Sequence, residues 1–454
     1  MMYEAQMVAN DAAYYYLARS GRVTDWPMWW VFDNGDTPLT AVDIADHFGE
    51  CAELLEPLRR RIQEVPGGLG HPFWVVDDSP IDAHIVTHDA AQQDWAQCQD
   101  EIGRILAQPL DARVSAWQLH VFPNVTGIAT PSGAGPVVLM HVSHALMAGP
   151  AMTSLSEALF ASVPLRIEGQ GAATRRPRPV LAAVLGALRW PLQVLRFNIR
   201  VRGEMRRIAR ENDDSGPNVP PVTSTRLNGR IGTGRAMRSI PLELRVVRAP
   251  GVTVTAFGLT AISRAMQRYL EKRDGSCPDD LAVLVTVAVP DAPVMGANYI
   301  GAAAVELAAA EPDLAARARA VDATLRVRRD SPSGRRELNR LGLIDLLPSR
   351  TYRTRFGTLA PAAPDGPAYA HTILTSIRCE PTAEWSLSGK PFRFAGMLPP
   401  VYPEIGLAHS FVGAGDTFTV SVVCDPGIVP DLDDYCELLR ESCHEVAAAL
   451  GASR

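Results

Sequence analysis

The sequence predicts an α/β protein built as two similar lobes, and three observations carry that expectation. The chain has 454 residues, too many for one compact hydrophobic core. Apolar patterns of helical and strand period alternate in both halves. Between the halves, from about 172 to 221, the composition shifts toward arginine and then toward proline, glycine and acids. Lobes of packed helices and sheets with a site between them satisfy all three.

The elements follow in order. "AVDIADHFGECAELLEPLRRRIQEV" (41–65) has apolar residues at helical spacing and stops before Pro66-Gly67-Gly68. "WAQCQDEIGRILAQPL" (95–110) is a second helix by the same test. "AWQLHVFP" (116–123) alternates like a half-buried strand. "GPVVLMHVSH" (135–144) is a continuous apolar run, as expected of a strand covered on both faces. "AGPAMTSLSEALFAS" (148–162) opens as a helix behind Gly149-Pro150, with proline near its first turn. In the second half, 254–273, 313–329 and 430–452 have helical patterns, and 281–290 and 415–426 have strand patterns. No short solenoid repeat is present. The expected division is a first lobe over 1–170, an arginine-rich helical linker over 171–222, and a second lobe over 223–454.

Composition bounds the function. Apolar residues make up 47% and charged residues 21%, ordinary for a globular protein, and the net charge of −6 offers no basic surface for nucleic acid. Only Lys272 and Lys390 are lysines among 44 basic residues, a compositional bias. Seven widely spaced cysteines without a C-x-x-C pair argue against a disulfide framework or a zinc site, and point to a reduced, cytoplasmic protein. The first 20 residues lack a basic stretch followed by an apolar one, so no signal peptide is expected. The nearest approach to a spanning segment, 179–197, is interrupted by Arg189 and Pro191. Ten arginines against one acid, Glu204, fall between Arg175 and Arg210. That apolar, arginine-studded stretch suits peripheral contact with an anionic membrane or lipid-droplet surface. The plain alternative is a solvated helix crossing between lobes.

The sharpest candidate for chemistry is His144, where a buried strand ends and the chain turns toward a helix. Strand ends are rigid, and histidine takes a proton from an alcohol or thiol near neutral pH. A neutral, hydrogen-bonded core histidine is the alternative. His141 and His144 are three apart, so on a strand they face opposite sides and cannot share an ion; no metal is expected. His84 and His88 look extended, which places both on one face. There is no G-x-S-x-G, no GxxxxGK[ST] and no GxGxxG opening a helix.

"SHALMAG" (143–149) resembles the HHxxxDG signature of the wax ester synthase/diacylglycerol acyltransferase family, acyl-CoA-dependent enzymes with a chloramphenicol-acetyltransferase-like fold. "HPFWVVDDSPIDAHIVTH", "QPLDARVSAWQLHVFPNV" and "TSTRLNGRIGTGR" (223–235) are similar to further family segments, and 394–439 resembles its C-terminal pattern, with serine-aromatic-x-Gly at Ser410 to Gly413. The likeness spans nearly the whole chain in order. It implies two such lobes with a channel between them, and O-acyl transfer from acyl-CoA, a co-substrate rather than a cofactor, to a lipid hydroxyl (diacylglycerol or a long-chain alcohol). His144 corresponds to the second histidine, the family's general base, and Gly149 fixes that register. The departures are Ser143 for the first histidine, Ala148 for the aspartate that braces the loop, and Thr255-Ala256 for Asn-Asp. The family's T-N-x-x-G-P turn corresponds to "TSIRCE" (375–380). These changes leave room for a catalytically impaired member that binds acyl chains or acyl-CoA, or serves as a partner subunit.

Overall fold

The structure is a computed structural model. It describes residues 5–52, 58–88, 93–162, 173–210, 221–288, 297–298, 300–330, 343, 346–357, 368–380, 382–401 and 404–451. Most of the linker segment 211–222 lies outside these residues.

In the first half come α1 (Ala9–Arg19), β1 (Trp26–Phe32), α2 (Ala41–Ala52), β2 (Arg60–Gln63), β3 (Phe73–Val76), β4 (Ile85–Thr87), β5 (Gln93–Asp94), α3 (Trp95–Leu106), β6 (Trp117–Thr126), β7 (Ala134–Val142) and α4 (Gly149–Phe160). The long α5 (Pro179–Arg210) leads to β8 (Ala236–Glu243), α6 (Leu244–Val247), α7 (Val254–Asp274), β9 (Ala282–Ala288), β10 (Ile300–Glu306) and α8 (Leu314–Asp330). The chain continues through α9 (Ser349–Gly357), β11 (Thr372–Cys379), β12 (Ser386–Leu387), β13 (Lys390–Met397), β14 (Leu407–Ala414), β15 (Thr417–Cys424) and α10 (Leu432–Ala449).

Two mixed sheets organise these elements. The first runs β12-β13-β1-β7-β6-β4, with β5 also on β6; the second runs β10-β9-β11-β14-β15-β8. The outer face of the first is covered by α2 and α4, through Trp30, Phe32, Met140, Met152 and Phe160. The outer face of the second is covered by α7 and α10, through Phe257, Ile262, Phe411, Tyr435 and Leu439. Between the sheets lies a third apolar layer, where Trp29 and Leu139 meet Met237, Ile373, Ala408 and Val423. β7 is buried along nearly its whole length, which explains its unbroken apolar run. Side chains cap two of the helices. Asp94 and Gln97 form a reciprocal capping box on α3, and Thr253 caps α7.

Several expectations are corrected. The helix expected over 41–65 is described over Ala41–Ala52 and does not reach 65: Arg60–Gln63 is a strand paired with β3, and 53–57 lie outside the described residues. His84 ends a single 3-10 turn while His88 follows β4, so they do not share one extended face. The sheets also cross the expected lobe boundary: β12 and β13 belong to the second half of the sequence, yet β13 pairs with β1 in the first sheet. The swap is seated by Gly396, where a Cβ would overlap the ring of Trp29, and by the Ser410 hydroxyl, which donates to the Met397 carbonyl.

α5 runs unbroken through Pro191 for 32 residues. Its segment Pro179–Glu204 is long and apolar enough to cross a membrane by length and composition, contrary to the interruption expected at Arg189 and Pro191. One face packs on the 3-10 turn Pro66–Gly68 and the residues after it. A Cβ on Gly186 would overlap the backbone carbonyl of Leu69, so only glycine permits this approach. Gly186→Val is therefore expected to lift α5 from the first lobe, read as faster proteolytic cleavage within 179–210 under native conditions.

Candidate active site

β7 ends at Val142, the chain turns through Ser143 to Met147, and α4 begins at Gly149. His144 occupies this turn as expected. Its ring and its backbone carbonyl meet different halves of the chain. Its ring stacks on Tyr14 of α1, centroids 3.9 Å apart and planes 11° from parallel. Its backbone carbonyl accepts from Asn298 Nδ2 at 2.7 Å, and Asn298 comes from the second half, just before β10. Asp11 of α1 closes the arrangement: its carboxylate accepts from Asn298 Nδ2 at 2.8 Å and from the backbone N–H groups of Asn298 and Ala297 at 3.0 and 3.1 Å. His144 is 4% exposed.

This burial sets the protonation state. It pushes the His144 imidazole down to about 4, against opposing contributions from its own backbone carbonyl, the Asn298 amide and the Asp25 carboxylate. Nδ1 of His144 and Oδ1 of Asn298 are both buried without a partner that meets hydrogen-bond geometry among the described residues. The ring is thus a neutral base at pH 7.

His141 has a different environment. Its Nε2 lies 3.0 Å from Asp25 Oδ2, with both side chains 1% exposed, and that same oxygen accepts from the Leu110 N–H at 2.7 Å. His141 also begins a polar row along the inner face of the first sheet. Its ring is 6.2 Å from His120, whose Nδ1 is 3.1 Å from His88 Nε2. His88 lines a cleft of about 650 Å³ bounded by 38–41, Thr87, Pro123 and Asn124. Burial, helped by the neighbouring His141 and His88, drives His120 down to about 3. His84 takes no part in this row: it hydrogen-bonds Ser115 Oγ at 2.8 Å and stacks on Trp117. Among the described residues no three His, Cys, Asp or Glu side chains are arranged to hold a metal.

The departures from the resemblance have identifiable places. Ala148 is the N-cap of α4 and supplies no side-chain acceptor, whereas an aspartate there would cap the helix. Thr255 and Ala256 lie in the first turn of α7, whose start is held by Asp322 accepting from the Thr253 hydroxyl at 2.7 Å. The segment 375–379 is part of β11, paired in parallel with β14, rather than a turn. The segments that match are structural clamps. Asn228 donates to the carbonyls of Ala370 and Glu404 at 2.9 and 3.1 Å, and Phe411 packs where α7 carries Gly258. Sequence reasoning missed Asp11, Tyr14, Asp25 and Asn298. None stands in a recognisable pattern, and each acts through a partner distant in the chain.

The match to known families is extensive. The wax ester synthase/diacylglycerol acyltransferase catalytic domain matches residues 7–256, and the WS/DGAT C-terminal domain matches 296–447. The chain belongs to the wax ester synthase/diacylglycerol acyltransferase family. Proteins from two strains of Mycobacterium tuberculosis, provisionally named as diacylglycerol O-acyltransferases, are 31% identical over 255 residues, covering 52% of this chain and 52% of each relative. The chain spans about half the length of these curated relatives. Among solved structures, the wax ester synthase/diacylglycerol acyltransferase from Marinobacter aquaeolei superposes with a TM-score of 0.66 at 15% identity, covering 98% of this chain and 100% of that one. A trichothecene 15-O-acetyltransferase from Fusarium sporotrichioides gives 0.59 at 13% identity, covering 97% and 94%. The starter condensation domain of rhizomide synthetase, in complex with C8-CoA, gives 0.52 at 13% identity, covering 95% and 91%. These likenesses establish the shared two-lobed, chloramphenicol-acetyltransferase-like fold of this family member.

Two outcomes test the site's physical description. Asp11→Ala is expected to cost on the order of 3 kcal/mol in chemical denaturation, because it strands buried donors of Asn298 and Ala297, with Asp11→Asn intermediate. Stability is also expected to depend on pH. The buried His120, His144 and His409 are held at about 3 to 4 when folded, against about 6.5 when free. The unfolded chain then binds more protons between those values, so this contribution is complete above about 6.5 and is lost as pH falls toward 4. Thermal melts from neutral to acidic pH read this directly, and a flat profile would overturn it.

Proposed function

We propose that this family member is an O-acyltransferase that moves a fatty acyl group from acyl-CoA to the hydroxyl of a lipid acceptor, diacylglycerol or a long-chain alcohol. The observation that carries the reading is family membership through both matched domains, with a histidine kept at 144. In this reading His144 takes the hydroxyl proton as the oxygen attacks the thioester carbonyl. The tetrahedral intermediate then expels CoA thiolate, which recovers the proton from the imidazolium. No covalent acyl-enzyme, metal or bound cofactor is required, because positioning and general-base catalysis supply the rate. The complex named for the rhizomide condensation domain supports acyl-CoA as donor. The position of His144 between α1 and Asn298, and its neutrality at pH 7, support it as the base. Segment 175–210 would bring the protein to the lipid surface that holds its acceptor.

A second reading, a catalytically impaired member that binds acyl chains or acyl-CoA or assists a partner, is favoured by the Tyr14 ring stacked on His144 and by Ser143 and Ala148 in the signature.

Release of CoA from long-chain acyl-CoA with diacylglycerols and alcohols, by wild type and His144→Ala, separates the two. Activity lost in His144→Ala, with an acid limb of kcat/KM near pH 4 rather than 6.5, supports the base assignment. A wild type that binds acyl-CoA but releases no more CoA than the variant assigns the second reading.

A further inference from the structure

α5 presents an apolar stripe to solvent. Leu181, Val184, Leu188, Leu192, Leu195 and Ile199 recur at spacings of three and four, and each is 40% to 74% exposed. At 3.6 residues per turn they fall on one face. Ala182, Ala183 and Gly186, the residues that pack on the first lobe, fall on another. The stripe is therefore turned away from the protein, and its chemistry is unlike that of a solvated helix.

The cationic residues are placed beside the stripe. Arg189, Arg196 and Arg200 lie on one flank, and Arg202 and Arg206 continue along the C-terminal end; all five are exposed, with Glu204 the one acid of the helix. On this flank, between α5 and the first lobe, opens a cleft of about 300 Å³. Arg189, Gln193 and Arg196 line one wall, and Gly70 and Ser349 are among the residues opposite; among the described residues its lining includes no carboxylate.

We propose that α5 lies flat on an anionic phospholipid surface, with its apolar stripe inserted among the acyl chains and a phosphate headgroup seated in the cleft beside Arg189 and Arg196. Charge complementarity selects this occupant. An apolar face flanked by arginines on one side matches the boundary between acyl chains and phosphates, where long cationic side chains reach the headgroups. A spanning orientation is disfavoured, because crossing the bilayer would carry Arg189 into the hydrocarbon and strip Gly186 from Leu69. The proposal does not depend on catalysis.

The test is flotation of the full chain with vesicles of phosphatidylcholine alone or mixed with phosphatidylglycerol, at low and high salt. Binding is expected to the mixed vesicles, weakened by salt. Leu188→Asp with Leu195→Asp, both at exposed positions, should remove it. Arg196→Glu with Gln193→Glu should reduce binding to mixed vesicles by about tenfold or more. Equal binding to neutral and anionic vesicles would overturn the electrostatic assignment. Retained binding in the leucine variant would overturn the stripe, and retained binding in the Arg196/Gln193 variant would overturn the cleft. Light scattering covers a second copy as occupant: a wild-type dimer that ignores vesicles, and that the leucine variant dissolves, would overturn the proposal outright.

Discussion

The buried carboxylate of Asp11 is the interaction on which the geometry around His144 depends. A carboxylate taken out of water must be met by donors, and here Asn298 and Ala297 from the second half of the chain provide them. Asn298 then spends its remaining amide proton on the His144 carbonyl. One desolvated charge thus fixes α1, the turn after β7 and the segment before β10 against one another. Tyr14, one helical turn from Asp11, is carried over the imidazole by the same placement.

Desolvation also governs the titratable groups around this junction. His144 and His120 lie in or beside the layer between the sheets, where a positive charge is penalised more than the available partners compensate. Neutral imidazoles can donate on one nitrogen and accept on the other, so they fit among apolar side chains without a counter-ion. His371 shows the pattern most clearly in the second lobe: its Nδ1 accepts from the Ala282 N–H at 3.2 Å, which leaves Nε2 to donate to the Thr223 carbonyl at 2.8 Å. A neutral histidine is ready to accept a proton at pH 7, but a depressed pKa weakens its driving force as a base. That tension is built into the placement of His144.

The segments that resemble the family divide by what they do. Asn228, Ser410 and Phe411 hold the fold together through backbone clamps and close packing, and they are present. The changed positions, Ser143, Ala148 and Thr255-Ala256, lie at a turn and at two helix starts. Losing a cap or a loop brace there costs about 1 kcal/mol, which other packing can supply. The fold can therefore persist while the signature erodes. The same logic explains why the strand-turn-helix around His144 was legible: a buried run, a polar turn and Gly-Pro at a helix start are local signals.

Local pattern by itself determined the α/β class, most of the helices and the position of His144 at the end of β7, and the resemblance of its segments pointed to the family. It also marked 175–210 as apolar and basic. Only the tertiary structure decided that β13 joins the first sheet, that His141 belongs to Asp25, and that Tyr14 covers His144. It also decided that the apolar stripe of α5 faces outward. The reason is physical. Periodicity records which side of an element is apolar, but not which distant element will cover it. A buried carboxylate or imidazole likewise takes its partner from wherever the folded chain brings a donor within 3 Å.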